Sequence, residues 1–356
     1  MNIKTIHVTA SNDYDVLVGR GLLKEAGKHI RAVHEPCTVA IISDSNVAPL
    51  YLDTVKDSLK QEGFTVIQFR FPAGERSKTL DVLSAILNYI ANQRLTRTDL
   101  IIALGGGVTG DMAGFAAATY LRGIDYVQIP TTLLAAVDSS VGGKTAVDVR
   151  AGKNQVGAFK QPLRVLCDID TFDTLPEEVF RDGCAECIKY GVLQSPELLK
   201  IFSEGTVKEH IADVVAESVR IKADYVREDE FDTGVRRFLN LGHTIGHAIE
   251  RTAKYTLMHG HCVAIGMVMI SRAGEALGIT EAGTTDRLIA ICQKNGLPVS
   301  CDFSTEALLD GALADKKREG GKITLIVPKT LGECVEHTVP VTELETIIEL
   351  GKETSR

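Results

Sequence analysis

The sequence has no run of more than three basic residues, and its 356 residues carry a formal net charge of −8. This balance argues against a nucleic-acid surface, because holding a phosphate backbone takes clustered Lys and Arg. It does not exclude a small anionic ligand, which single lysines focused in a cleft can hold whatever the total charge. No apolar run approaches the roughly 18 residues needed to span a bilayer, so no membrane partner is expected. The amino terminus, MNIKTIHVTA, alternates like a strand and lacks the basic and apolar regions of a secretory signal, so a cytoplasmic location is expected. The 8 cysteines are scattered, and Cys167, Cys262 and Cys292 sit inside apolar segments, as free thiols do in a reducing compartment. Cys184 and Cys187 form a C-x-x-C, but no second pair completes a zinc site, and the pair is read as inert.

What is present fits two domains, at about 150 residues per domain. Hydrophobic content of 44% and charged content of 24% are those of a soluble globular protein. Residues 3 to 19 read as two strands, followed by strands at 38–44, 65–71, 99–106, 126–130 and 164–169. Helical patterns fall between them at 47–62, 80–94 and 109–121. Continuous apolar strands alternating with helices predict a doubly wound parallel sheet, which binds nucleotides at the carboxyl ends of its strands. From Pro176 the periodicity is helical almost throughout, with KITLIVP at 322–328 as a hairpin strand or an edge. The expected organisation is an α/β nucleotide-binding domain over 1–175 and a mostly helical domain over 176–356, with any reaction needing both placed in the cleft between them.

The stretch from Asn240 to His261 holds four of the 9 histidines, His243, His247, His259 and His261. His243 and His247 are four apart in a helical pattern, so both rings project from one face. With His259 they offer three imidazoles, the number of protein ligands a catalytic zinc takes. The competing reading is a polar or carbonyl-satisfied cluster. In the first half, Gly105, Gly107 and Gly110 satisfy G-x-G-x-x-G between a strand and a small-residue helix, where backbone N–H groups can hold a pyrophosphate. The loop is late in its domain and Asp125 follows too early for the usual ribose-binding acid, so a tight turn stays open. Asp44 and Glu75 also end strands on that edge and are read either as ribose acceptors favouring NAD over NADP or as helix caps. Gly142-Gly143-Lys144-Thr145 lacks the first glycine and spacer of a Walker A motif, which leaves a loop with Lys144 and Lys153 suited to an anionic substrate. Lys189 shares a helix face with Glu186, and Lys222, Arg236 and Asn240 add donors before the histidines; each alone is also compatible with a solvated face.

The segments GERSK, GGGVTGD, PTTLLAAVDSSVGGKT, GKN, the Glu186 segment, RRFLNLGHTIGHAIE and MHG, in this order, closely resemble the 3-dehydroquinate synthase family of the sugar-phosphate cyclases. The resemblance runs from Asp44 to Lys317. It implies conversion of 3-deoxy-D-arabino-heptulosonate 7-phosphate to 3-dehydroquinate and phosphate in the shikimate pathway. The reaction would proceed by transient oxidation by NAD, phosphate elimination, re-reduction and intramolecular aldol closure. The metal, zinc or cobalt, would sit on Glu186, His243 and His259, which makes His247 a substrate-contacting residue instead of a ligand. Asp138, Lys144, Asn154, Lys189, Lys222, Arg236, Asn240 and His247 would line the substrate, with Lys153 and one lysine of Lys316-Lys317 nearby. Arg122 would reach the phosphate of a neighbouring subunit, which implies a homodimer. NAD would be held by Asp44, Glu75, Lys78, Gly106, Gly107, Val108, Asp111, Thr131, Thr132 and Thr171, with Lys144 and Lys153 alongside.

One departure is visible: the family usually reads His-Gly-Glu where this chain has His259-Gly260-His261, so His261 is either an outer neighbour of the metal or a competing ligand. A 2-deoxy-scyllo-inosose synthase-type cyclase and a glycerol-dehydrogenase-like polyol dehydrogenase are the rival enzymes. The lysines of the two glycine motifs and Arg236 suit a substrate with both phosphate and carboxylate, which favours the heptulosonate. An inactive nucleotide sensor predicts a broken ligand set, and all three implied ligands are present.

Overall fold

The computed structural model describes residues 3–316 and 321–352. The chain divides into two units, one comprising residues up to Pro176 together with Val215–Phe231, the other Glu177–Val214 with Asp232–Arg356. The segment 215–231, read from the sequence as part of the helical half, thus groups with the first unit.

In the first unit the chain runs β1 (Lys4–Val8), β2 (Tyr14–Gly19), α1 (Ala26–Arg31), β3 (Thr38–Asp44), α2 (Ala48–Gln61), β4 (Thr65–Phe71), α3 (Leu80–Asn92) and β5 (Leu100–Gly105). It continues through α4 (Gly107–Thr119), β6 (Asp125–Pro130), β7 (Lys144–Val149), β8 (Gly152–Phe159) and β9 (Arg164–Asp168). Seven strands form one sheet in the order β1-β2-β9-β6-β5-β3-β4, parallel except for the β1–β2 pair at one edge. Alternation along each strand explains the burial. Val39, Ile41, Leu100 and Ile102 pack on one face with Leu52, Val55 and Leu59 of α2. Ala40, Ile42, Ile101 and Ala103 pack on the other with Ile86 and Ile90 of α3 and Met112 and Ala113 of α4. A sheet covered on both faces needs strands apolar at every position, which is why these strands were legible. After β3 the chain steps outward to β4 and returns as β5 on the opposite side of β3. The switch point of this doubly wound sheet therefore lies at the carboxyl ends of β3 and β5, where Asp44 and Gly105 stand.

The stretch read as a loop around Lys144 and Lys153 is an antiparallel hairpin, β7–β8, separate from the main sheet. β7 (KTAVDV) mixes polar and apolar positions and β8 (GKNQVGAF) is polar and glycine-containing, so no continuous apolar run marks them. β7 lies so near α4 that a methyl at Gly114 would come within 2.5 Å of the Thr145 Cγ2. Gly114→Val is accordingly expected to destabilise the protein by about 1–3 kcal/mol through overpacking, read as a lowered thermal midpoint; an unchanged midpoint would contradict this packing.

The second unit contains α5 (Glu177–Gln194), α6 (Pro196–Glu204), the start of α7 (Ile211–Glu228), α8 (His243–Thr252), α9 (His259–Ala276), α10 (Thr284–Lys294) and α11 (Thr305–Lys316). A hairpin of β10 (Lys322–Thr330) and β11 (Glu333–Pro340) precedes α12 (Leu344–Gly351). Ser195 caps α6 by accepting from the Leu198 N–H, Pro196 opens it, and Gly205 closes it in the left-handed region. The helices that carry the histidines pack backbone to backbone. A methyl at Gly266 of α9 would lie 2.1 Å from the Gly242 carbonyl oxygen just before α8, and one at Gly260 would lie 2.0 Å from the Asp182 carbonyl oxygen of α5. Glycine at these two positions brings α5, α8 and α9 close enough for their side chains to share one point.

Candidate functional site

That point is occupied by Glu186 of α5, His243 and His247 of α8 and His259 of α9. Glu186 Oε1 lies 3.5 Å from His243 Nε2 and 3.5 Å from His259 Nε2. For bonds near 2.0 Å, a tetrahedral ion spaces its donors about 3.3 Å apart, so both distances from Glu186 Oε1 are compatible with ligands of one ion. The ring nitrogens of His243, His247 and His259 also lie within 4.8 Å of one another. Both candidate sets therefore share His243 and His259 and differ in Glu186 or His247. His261 is outside this group among the described residues, and its backbone N–H donates to Asp182 Oδ1 at 3.1 Å.

The surroundings orient the rings. His243 Nδ1 is 3.0 Å from the Leu241 carbonyl oxygen, which turns Nε2 toward Glu186. His259 Nδ1 faces Glu250 Oε2 at 3.5 Å. Such outer partners fix tautomer and ring angle in metal sites. Glu186 is fully buried, and its other oxygen pairs with the equally buried Lys189 one turn along α5. Burial opposes a charge on His259, but Glu186 and Glu250 outweigh it and raise its pKa to about 10. His243 is driven well below its ordinary value, by burial first and then by Lys189. Around His259 two carboxylates, Glu186 and Glu250, thus favour positive charge; a divalent cation beside Glu186 fits that environment. Cys184, by contrast, has its thiol pushed far up by burial and has no part in such chemistry.

In the first unit, Gly105 ends β5, Gly106 precedes α4 and Gly107 and Val108 open it. Asp44 Oδ2 accepts from Thr109 Oγ1 at 3.1 Å, while its Oδ1 accepts from the N–H groups of Asn46 and Val47 at 2.8 and 3.1 Å. Asp44 thus closes the turn that leads to α2, whose own cap residue is Val47 with no side-chain cap, and at the same time stands beside the glycine loop. The Thr131 N–H donates to Gly105, Thr132 accepts from the Ala135 N–H at 3.1 Å, and Thr171 is buried with its hydroxyl on the Asp168 carbonyl. The buried hydroxyls of Thr131 and Ser139 have no hydrogen-bond partner among the described residues, and Ser139 faces Gly107. Unpartnered hydroxyls beside a glycine turn and a helix amino terminus fit a phosphate-bearing cofactor.

Lys78 ties this loop to the hairpin: its Nζ is 2.5 Å from Asp111 Oδ2 and donates to Asn154 Oδ1 at 2.5 Å. Burial opposes its charge, but Asp111 and Glu75 outweigh it and hold the ammonium above its ordinary pKa. Lys153 reaches Glu75 at 3.3 Å. Lys222, on the returning segment, donates to the Asp138 carbonyl and to Oδ1, each at 2.6 Å. Lys144 is exposed at the start of β7, and Arg122 is exposed at φ 67 in the turn after α4. Arg236 is buried, and Asn240 is exposed three residues before His243. Lys317 lies outside the described residues. Two groups escaped sequence reasoning, Glu250 beside His259 and Asp148 beside Asn154; nothing in their spacing marks them apart from other acids.

Comparison with known proteins gives these features a family. Residues 68–182 match the family described as 3-dehydroquinate synthase N-terminal, and residues 183–318 match 3-dehydroquinate synthase C-terminal. The chain is 46% identical over 338 residues to a 3-dehydroquinate synthase of Streptococcus suis, covering 93% of this chain and 95% of that protein. In fold it is similar to 2-deoxy-scyllo-inosose synthase complexed with carbaglucose-6-phosphate, NAD+ and Co2+, with a TM-score of 0.87 and 23% identity over 97% of this chain and 99% of that one. It is also similar to 2-epi-5-epi-valiolone synthase from Streptomyces hygroscopicus with NAD+ and Zn2+ bound, with a TM-score of 0.87 and 24% identity over 97% of this chain and 98% of that one. With both family segments matched in sequence and nearly the whole chain aligned to a relative at this identity, the chain belongs to the 3-dehydroquinate synthase family and is an enzyme of that family.

Proposed function

We propose that the enzyme converts 3-deoxy-D-arabino-heptulosonate 7-phosphate to 3-dehydroquinate and phosphate, with zinc or cobalt on Glu186, His243 and His259 and NAD at the switch point of the sheet. The observation that carries this reading is the equal 3.5 Å spacing of Glu186 Oε1 from both imidazole Nε2 atoms. When bound, the cation supplies a Lewis acid for a substrate hydroxyl and NAD supplies a hydride acceptor that is returned to its starting state. The protein's own groups do the rest. Asp44, with Glu75 and Lys78, addresses the nucleotide, and a carboxylate at the end of β3 favours a free ribose over a 2′-phosphate. Gly106, Gly107, Val108, Asp111, Thr131, Thr132 and Thr171 complete the cradle.

Lys144, Lys153 and Asn154 are cationic or amide donors suited to the substrate phosphate, which they hold as it departs and as negative charge spreads to the developing enolate. Asp138 is held by Lys222, so its carboxylate is oriented before substrate arrives. Arg236, Asn240, Lys189 and His247 address the carboxylate and hydroxyls. Arg122 serves a neighbouring protomer in a homodimer. A cytoplasmic, shikimate-pathway role accords with the absence, among the described residues, of any helix long and apolar enough to cross a membrane. The inosose-forming alternative gains nothing from its structural likeness, which at 23% identity is one of fold.

Chelation tests the metal. Dialysis against a strong chelator is expected to reduce turnover to about 1% or less, since an ion worth several kcal/mol of charge stabilisation is lost, and either zinc or cobalt is expected to restore it. Undiminished turnover by fully metal-free enzyme would overturn the assignment.

A further inference from the structure

The tip of the β7–β8 hairpin is irregular at one place. Val147 pairs with Val156 and Val149 with Gly152, so Asp148 alone stands opposite three residues, Lys153, Asn154 and Gln155. A bulge of this kind re-aims side chains and takes backbone groups out of the ladder. The groups it displaces are met by Asp148. Its Oδ1 accepts the Asn154 N–H at 2.9 Å, and its own N–H donates to the Lys78 carbonyl at 2.8 Å, forming a bridge between Thr79 and Asp148 outside the ladder. Asn154 itself stands in the left-handed region at φ 56, a conformation that asparagine accepts more readily than most side chains. From there its side-chain oxygen reaches Lys78, which also holds Asp111.

We propose that Asp148 is a positioning residue: by accepting the Asn154 N–H and pairing with the backbone of Lys78, it fixes the bulge that aims Lys153 and Asn154 at the phosphorylated substrate. The proposal rests on the reading of Lys153 and Asn154 as substrate groups. In this role Asp148 acts through the backbone of Asn154 and Lys78. It lies only partly buried on the hairpin and outside both core clusters, so its truncation leaves the sheet intact. The acceptor oxygen, not the charge, is the required feature, because a backbone N–H needs only a lone pair at hydrogen-bond distance.

The test compares Asp148→Ala, Asp148→Asn and Asn154→Ala by steady-state kinetics, NAD titration and limited trypsin digestion, which reads the exposure of Arg150 and Lys153 at the tip. Loss of this acceptor predicts that Asp148→Ala raises KM for the heptulosonate phosphate about tenfold while NAD affinity stays within about threefold. Trypsin nicking at Arg150 or Lys153 is expected to accelerate in parallel. Asp148→Asn, which retains an oxygen at the same reach, is expected to restore both. Wild-type KM and nicking in Asp148→Ala overturn the proposal, as does an Asp148→Asn variant as impaired as the alanine. A wild-type KM in Asn154→Ala, with faster nicking only in Asp148→Ala, would instead retire the substrate role of Asn154 and leave the positioning of the tip standing.

Discussion

Glu186→Gln is expected to lower kcat/KM by at least about 10³-fold, or about 4 kcal/mol, and to leave the purified protein with far less than one zinc per chain. The argument is geometric and electrostatic. Glutamine keeps the shape of the side chain and an acceptor oxygen, but it removes the one carboxylate that stands 3.5 Å from both His243 and His259 Nε2. It also removes the charge that faces Lys189 inside α5, where Glu186 and Lys189 are both buried. Breaking a buried pair on one side costs about 3–5 kcal/mol when nothing takes its place. The thermal midpoint should therefore fall together with metal content, and excess zinc should not restore turnover. A variant with full zinc and near-normal turnover would move the ligand set to the three histidines, since His247 lies within reach of the same ion.

Lys144→Ala is expected to leave folding and NAD binding nearly unchanged while turnover falls by about 10²–10³-fold, the effect of deleting one charged donor from a site where negative charge develops. Lys144 is exposed at the first position of β7, so no core contact is lost. Its place is set by backbone instead. Gly142 and Gly143 precede it at φ 91 and 70, the Gly142 N–H donates to the Tyr14 hydroxyl at 3.0 Å, and the Gly143 carbonyl accepts from the Lys160 N–H at 2.8 Å. A side chain delivered by so constrained a turn is suited to one fixed anion. Near-normal turnover in this variant would remove Lys144 from the reaction.

The parts of this molecule that the sequence displayed are those in which burial writes a period. Strands β3, β5 and β6 are apolar on both faces and stand out; the glycine loop after β5 and the histidine stretch were found from spacing. The hairpin β7–β8 is not legible in the sequence because neither strand carries a continuous apolar run, and its close approach to α4 leaves no local pattern. The segment 215–231 looked helical, which it is, yet periodicity cannot say which core a helix serves. Glu186 posed the hardest case: two cysteines and apolar residues surround it in α5, and only its place opposite α8 and α9 separates it from any other helical acid. His247 shows the converse, since i, i+4 spacing makes it the natural partner of His243, and its ring nitrogen does lie within 4.8 Å of those of His243 and His259.

The measurement that tests the whole account is simultaneous recording of phosphate release and absorbance at 340 nm, with the heptulosonate phosphate, zinc and NAD at a concentration well below that of substrate. Release of phosphate over many turnovers per NAD, with no net rise at 340 nm, is the predicted result, because the nucleotide is reduced and reoxidised within each cycle. Accumulation of NADH in proportion to substrate consumed, or turnover of glucose 6-phosphate in place of the heptulosonate, would contradict it.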